Sequence, residues 1–300
     1  YTTNNKPELK KSKRHHYIPE FFIKGFTGED GKISLFNKEK GLIEKLRKSP
    51  KQIFFEWNRN SFNINGNETD FLEKVYQFGE SKFADTYKKL NGSSEKIEFT
   101  TYDILHLTLF ICEIYWRIPI NDKVFNESMK DFDFNKAPFK IVDKETGEKT
   151  PISELKELRK EPAFIETLKQ IKAIENYIEN SKNIKVENWL IYYIPKKEPQ
   201  LKILSDNPVI IRNQSENILE SELIFPLSKG KTVYHTKGKR LKKIPATNNV
   251  SIDTLLFLQA EKYVCCADES YLNSIIQLSK LYNTPERINF LKNEIFAVFE

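Results

Sequence analysis

A chain of 300 residues is long for one small core and short for three, and 39% hydrophobic content with 22 Phe and 13 Tyr can bury a sizeable interior, which excludes wholesale disorder. No run of about 18 apolar residues occurs, so no membrane span is expected. Three cysteines, two of them adjacent (Cys265 and Cys266), cannot build a disulfide framework and point to a reducing, cytoplasmic setting. The net charge of +6 is unevenly placed: residues 1–60 hold 14 Lys/Arg against 7 Asp/Glu, and the run from Lys229 to Lys243 carries seven cations and no acid. Clustered cations with interleaved aromatics suit a phosphate backbone, but they equally describe a solvated hairpin in a Lys-rich chain.

Residues 1–14 are polar, basic and without periodicity, which predicts a flexible basic arm. His15 to Phe26 alternates bulky apolar groups around Pro19 and reads as a short extended segment. Ile33–Phe36 and Gly41–Leu46 flank the turn-like Asn37 to Lys40 and predict a β-hairpin. Glu56 to Asn67, rich in Asn and Gly, reads as a loop. Apolar residues at Phe71, Leu72, Val75, Tyr76, Phe78, Phe83 and Tyr87, stopped by Asn91-Gly92, predict an amphipathic helix over 69–90. A second helix starts at a Thr100 or Thr101 cap with Asp103 in its first turn, is apolar nearly all round from Ile104 to Trp116, and stops at Pro119. Residues 121–150 are poorly patterned, and Ser153 to Ser181 is helical with a break near Pro162. Trp189 to Ile194 reads as a buried strand, followed by strands at Ile203–Ile211, Leu223–Pro226 and Thr232–Thr236. Helical spacing returns at Ser251–Ala260 and Ser270–Tyr282. The expected architecture is α+β: a small N-terminal β segment, central buried helices, a C-terminal antiparallel-type sheet and closing helices. Residues 15–300 read as one domain with a helical insertion at 121–185.

Several motifs along this order resemble a known family. The segment HHYIPEFFIKGF at His15–Phe26 resembles the opening motif of the bacterial domain-of-unknown-function 4238 family. Asn60-Ser61-Phe62, Phe71-Leu72-Glu73 and Glu80 look like its Asn-Phe loop and acidic helix. Trp116-Arg-Ile-Pro119 resembles its Arg-x-Pro helix end, Ser205-Asp-Asn-Pro-Val209 its most recognisable motif, and Phe225-Pro-Leu-Ser228 the strand that follows. The likeness spans roughly residues 13–267. Asn63 stands where a Tyr is usual, and Ile118 where a small or hydroxylated residue is usual. The resemblance implies continuity of fold and a set of residues to inspect, and it implies no reaction.

Adjacent histidines in an extended segment point to opposite faces, so one of His15 and His16 can meet a site, and imidazole titrates in the range that suits general acid or base work. Asp206 and Asn207, ahead of Pro208 at a strand end, can bind a metal, orient an imidazole or receive a proton, or else form an Asx-type turn. Asp70 and Glu73 share a helix face with Glu80 further along the stripe, and Glu73 is the better inward candidate. Arg117, ending an apolar helix, can offset the helix dipole, pair with Glu73 or Asp206, or hold a phosphate. No Cys-x-x-Cys, Walker, dinucleotide-binding or Gly-x-Ser-x-Gly pattern is present.

The leading expectation is a nuclease acting on RNA or DNA, with a defence or toxin role by association. His15 or His16 would be general base or ligand, Glu73 and Asp206 would hold Mg²⁺ or Mn²⁺ or orient the imidazole, and Arg117 would stabilise phosphorane charge, with Asn207 beside them. Lys13, Arg14, Tyr17, Lys229, Lys231, Lys239 and Arg240 would hold the nucleic acid. The alternatives are a non-catalytic nucleic-acid- or protein-binding module and an enzyme on a small phosphorylated or nucleotide substrate. No membrane partner is expected; a homo-oligomer or a partner protein is left open.

Overall fold

The computed structural model describes residues 13–64, 67–69, 71–92, 98–130, 133–135, 140–142, 146–195, 198–215 and 217–300. Most of the expected arm, residues 1–12, lies outside the described residues, and Arg14 already belongs to β1 (Arg14–His16). Pro19, in extended conformation, then caps one helical turn, α1 (Glu20–Ile23), so the extended reading of His15–Phe26 holds only to Pro19. The predicted hairpin forms as β2 (Ser34–Asn37) and β3 (Leu42–Ile43), with Gly41 at φ 66° turning the chain. The expected loop at 56–67 is largely strand. Its first residues belong to β4 (Phe55–Trp57), antiparallel to β1, while β5 (Phe62–Ile64) pairs with β6 (Asn67–Thr69). Asn58 and Asn60 lie in the connection between β4 and β5 rather than in one long loop.

Two central helices follow. α2 (Phe71–Gly92) ends at the predicted Asn91-Gly92 stop. α3 (Thr101–Arg117) opens on a reciprocal capping box between Thr100 and Asp103, and Asp103 also accepts from Lys89 of α2 at 2.5 Å. Twelve of its 17 residues are buried, and it stops where Ile118 turns extended ahead of Pro119. α4 (Asn121–Ser128) and α5 (Ile152–Leu158) lead to α6 (Pro162–Ser181), whose first residue is the proline that divides the last two helices. α6 lies along α3, joined by Trp116 Nε1 donating to Asn176 at 3.0 Å and Gln170 donating to Glu113 at 2.7 Å.

The C-terminal part holds β7 (Trp189–Tyr193), β8 (Leu204–Ser205), β9 (Ile210–Ile211), β10 (Leu223–Ser228), β11 (Lys231–His235), α7 (Thr247–Gln259), β12 (Tyr263–Cys266), α8 (Glu269–Ser279) and α9 (Pro285–Phe296). Two antiparallel four-stranded sheets result, ordered β7-β11-β10-β9 and β3-β2-β12-β8. β7 is an edge strand with Leu190 and Tyr193 exposed and only Trp189 buried, not the buried strand its apolar run predicts. The single strand expected at 203–211 splits into β8 and β9 in different sheets, because Asp206-Asn207-Pro208 turns the chain between them. The second sheet pairs β2 with β12, Phe36 opposite Val264, so the two ends of the chain close on each other. One hydrophobic cluster surrounds α1, α2 and α3, and another lies between the sheets and α7 to α9.

Candidate active site

The β1–β4 ribbon aims the paired histidines apart, as alternation requires. His15 is buried, and its Nδ1 accepts the backbone N–H of Asn60 at 2.8 Å. His16 packs its ring 5.7 Å from Phe55, with Nδ1 3.8 Å from Glu20 and Nε2 enclosed without a hydrogen-bond partner. Burial is the main cause holding the His16 pKa below its ordinary 6.5; Glu20 and a hydrogen bond to the Pro50 backbone oppose it, and the Arg117 charge adds to it. The imidazole is therefore neutral at pH 7.

α2 and α3 supply the facing groups. Glu73, in the first turn of α2, accepts the Asn60 amide at 2.5 Å. Arg117, 3% exposed at the end of α3, donates Nη1 to Glu80 at 2.6 Å and stacks 3.9 Å from the ring centroid of Tyr76. Burial lowers its pKa, but Glu80, Tyr76 and Glu73 outweigh that, so the guanidinium stays charged. Glu113, one helical turn earlier on α3, lies against Gly79, where an added Cβ would sit 2.6 Å from its Oε2. Burial pushes the Glu113 carboxyl up to about 7.

The network continues through Arg59, which donates to Glu56 at 2.6 Å, Asp122 at 2.7 Å and Glu166 at 2.7 Å. The wholly buried ammonium of Lys169 joins Asp122 and Glu166. Eleven buried side-chain polar atoms among the described residues lack a hydrogen-bond partner, and six belong here: His16 Nε2, Asn60 Oδ1, Arg59 Nε, Tyr76 Oη, Arg117 Nε and Glu166 Oε2. Buried polar groups are ordinarily paired, so this concentration marks where the fold holds unused hydrogen-bonding capacity.

Of the residues singled out from sequence, His15, His16, Glu73 and Arg117 come together. Asp206 and Asn207 make their hydrogen bonds elsewhere. The Asp206 carboxylate accepts the backbone N–H groups of Glu261, Lys262 and Tyr263 at 2.9, 2.6 and 2.8 Å, and Asn207 exchanges hydrogen bonds with Gln259. Ser-Asp-Asn-Pro thus pins the entry to β12. Tyr17 is buried, its phenol pKa pushed well above 10 by burial and then by the Asp206 charge, so it is a core residue and no surface contact. Glu73 and Asp206 form no joint metal site, each being taken up by other partners, and among the described residues no group of three or more His, Cys, Asp or Glu could hold a metal ion.

The basic run divides. Lys231 is buried in β11 and donates to the Leu90 carbonyl at 2.5 Å, and Lys229 donates to the Thr27 carbonyl at 3.1 Å, so both tie the fold together. Lys239 pairs with Glu222 at an exposed turn, beside the exposed Arg240. Lys13 is exposed, and the Arg14 guanidinium lies over Phe55 and Trp57 at 5.2 and 5.1 Å. Sequence reasoning missed Arg59, Tyr76, Glu113, Asp122, Glu166 and Lys169 as site residues. For α6 a signal existed: Glu166, Lys169, Gln170 and Ala173 fall at the spacing of a buried helical stripe. Asp70 lies outside the described residues.

No curated protein and no solved structure matches the chain. The profile of the family described as a protein of unknown function, DUF4238, matches residues 14–266. With that match running from β1 to the last residue of β12, through both histidines, the α2–α3 charge network and the Asp206 turn, the chain belongs to the DUF4238 family.

Proposed function

We propose that this chain is a nuclease that cleaves single-stranded RNA, with His16 as general base. The observation that carries the reading is the neutral, unpartnered Nε2 of His16 within electrostatic range of the buried, charged Arg117. Arg14 and His16 share one face of β1, and their cross-strand partners Trp57 and Phe55 share that face on β4. Trp57 is 60% exposed and Phe55 lies between it and the His16 ring, so a cation–aromatic platform on which bases can stack flanks the imidazole.

RNA is favoured over DNA because its 2′-hydroxyl is an internal nucleophile. His16 takes the 2′-hydroxyl proton, the 2′-oxygen attacks phosphorus, and the P–O5′ bond breaks. The departing 5′-oxygen takes a proton from solvent, leaving a 2′,3′-cyclic phosphate. Arg117 opposes the negative charge that builds on the phosphorane oxygens. The exposed cations of Lys237, Lys239, Arg240, Lys242 and Lys243 also support a second reading, a non-catalytic nucleic-acid-binding module.

The test incubates purified protein with one oligonucleotide sequence as RNA and as DNA, with Mg²⁺, with Mn²⁺ and with chelator, beside a His16→Ala control. Cleavage of RNA alone to cyclic-phosphate ends, surviving chelator and lost by at least a hundredfold in the control, is the expected result. Cleavage that needs the cation and survives in His16→Ala would replace this mechanism with a metal route. Salt-sensitive binding without cleavage would establish the binding module.

A further inference from the structure

An apolar groove of about 840 Å³ runs between α4 and α6, over the end of α3. The buried side chains of Trp116, Phe125 and Leu168 close its floor. Its walls stay open: Val124 is 45% exposed on α4, and Ile174 and Ile178 are 36% and 47% exposed on α6. Aliphatic groups scattered singly over a surface need no explanation, whereas three around one groove mark a docking surface. The opposite face of α6 is already taken, with Gln170 and Asn176 buried and bonded to α3.

The pattern along α6 says what fits there. Phe164, Leu168, Ile171, Glu175 and Ile178 follow one another at steps of four, three, four and three, the core positions of a heptad. Phe164 and Leu168 are buried within the chain, and the stripe comes to the surface from Ile171 onward. Lys172 and Glu179 lie seven residues apart on one flank of this stripe, and both line the groove. When two copies of such a helix run antiparallel about a two-fold axis, like flanks face each other. Lys172 then meets Glu179 of the second copy, and Glu179 meets its Lys172. Glu175 is the one charge among the five stripe residues, and its carboxylate lies 3.8 Å from the Lys172 ammonium of the same chain. The charges of α6 are therefore complementary to themselves.

We propose that the groove is a dimer interface, in which α6 packs antiparallel on the α6 of a second copy of this chain. Ile174 and Ile178 of each copy enter the groove of the other, and paired Lys172 and Glu179 set the register. Each Lys172 bridges Glu175 of its own chain and Glu179 of the other, so charge taken out of water keeps a partner. Because the same patch serves both copies, the contact closes at two and makes no filament. None of these residues belongs to the His16 site, and the inference stands apart from the nuclease reading.

The test is sedimentation velocity of the full chain over a wide concentration range, for wild type, Ile178→Glu, Lys172→Glu, Glu179→Lys and the double variant Lys172→Glu with Glu179→Lys. Wild type should reach twice the chain mass of 35.4 kDa and no more. Ile178→Glu, at an exposed position, should keep the wild-type helical circular dichroism and weaken the dimer at least a hundredfold. Each single charge change sets like charges against each other across the axis and should weaken it at least tenfold. The double variant should return to within about threefold of wild type. Within one chain the two positions are two turns apart, about 10 Å along the helix, so rescue can come only from the second copy. A chain that stays monomeric throughout would overturn the proposal and leave the groove to a different occupant. A dimer that survives Ile178→Glu, or a double variant no tighter than the single ones, would overturn it as well.

Discussion

The guanidinium of Arg117 lies 3.9 Å from the ring centroid of Tyr76, and the same cation donates to Glu80 at 2.6 Å. Tyr76 and Glu80 are one turn apart on α2, so a single helix face offers both a π-surface and a carboxylate to a charge removed from water. A lone Arg in that position would be costly; clamped between these two it is stable and oriented. Arg117→Met should cost about 3 kcal/mol in urea denaturation, the range for breaking a buried pair. Arg117→Lys should recover only part of it, because an ammonium cannot reproduce the planar contact. Adding Glu80→Gln to Arg117→Met should restore stability relative to the single variant.

Glu113 sets a pH dependence with a definite sign. Its folded pKa of about 7 lies above the ordinary 4.5, so the folded state holds a proton that the unfolded state has released between those values. Stability from this group is full below pH 4.5 and falls as pH rises to about 7, by roughly 3 kcal/mol at most. Glu113→Gln keeps a neutral partner for Gln170, and should be more stable than wild type at pH 8 and close to it at pH 4.5. Chemical denaturation at the two pH values measures the difference.

Gly79 is mid-helix on α2, where alanine would ordinarily add about 0.5–1 kcal/mol. The Glu113 carboxylate, 2.6 Å from where the new methyl would lie and held by Gln170, reverses the sign. Gly79→Ala should lower the melting temperature, and the double variant Gly79→Ala with Glu113→Ala should melt higher than the sum of the two single changes predicts.

Removing the Asp206 carboxylate strands three backbone amides at the start of β12, and Asp206→Ala should cost about 3 kcal/mol or more. Burial raises its pKa against the pull of those amides. The loss should appear in stability alone: below its melting transition, the variant should keep any RNA cleavage that the wild type shows under the proposed function.

His16 makes an opposite prediction. In the proposed mechanism it is a base whose pKa lies below 6.5, and the cleavage rate should rise with pH through a midpoint below 6.5 and then level off. Glu20→Gln removes a charge that raises this pKa, so the midpoint should shift to lower pH. A midpoint that does not move in Glu20→Gln would mean that another group titrates.

Sequence alone determined the features that depend on neighbours in the chain. The Asn91-Gly92 stop, the Thr100–Asp103 cap, the Pro119 end of α3 and the Pro162 start of α6 all follow from local backbone chemistry. The motifs were also enough to bring His16, Glu73 and Arg117 under suspicion together. Tertiary structure decided which charged residues met. Arg59 reaches Glu166 across 107 positions, and Asp206 finds its amides 55 to 57 positions away, contacts that no periodicity encodes. The same distance effect buried Lys231, whose sequence reads as solvated, because β11 was taken into the middle of a sheet between β7 and β10. Short-range propensity chooses helix or strand, whereas the burial of a charge depends on whether packing delivers a partner to it, and only the folded chain makes that choice.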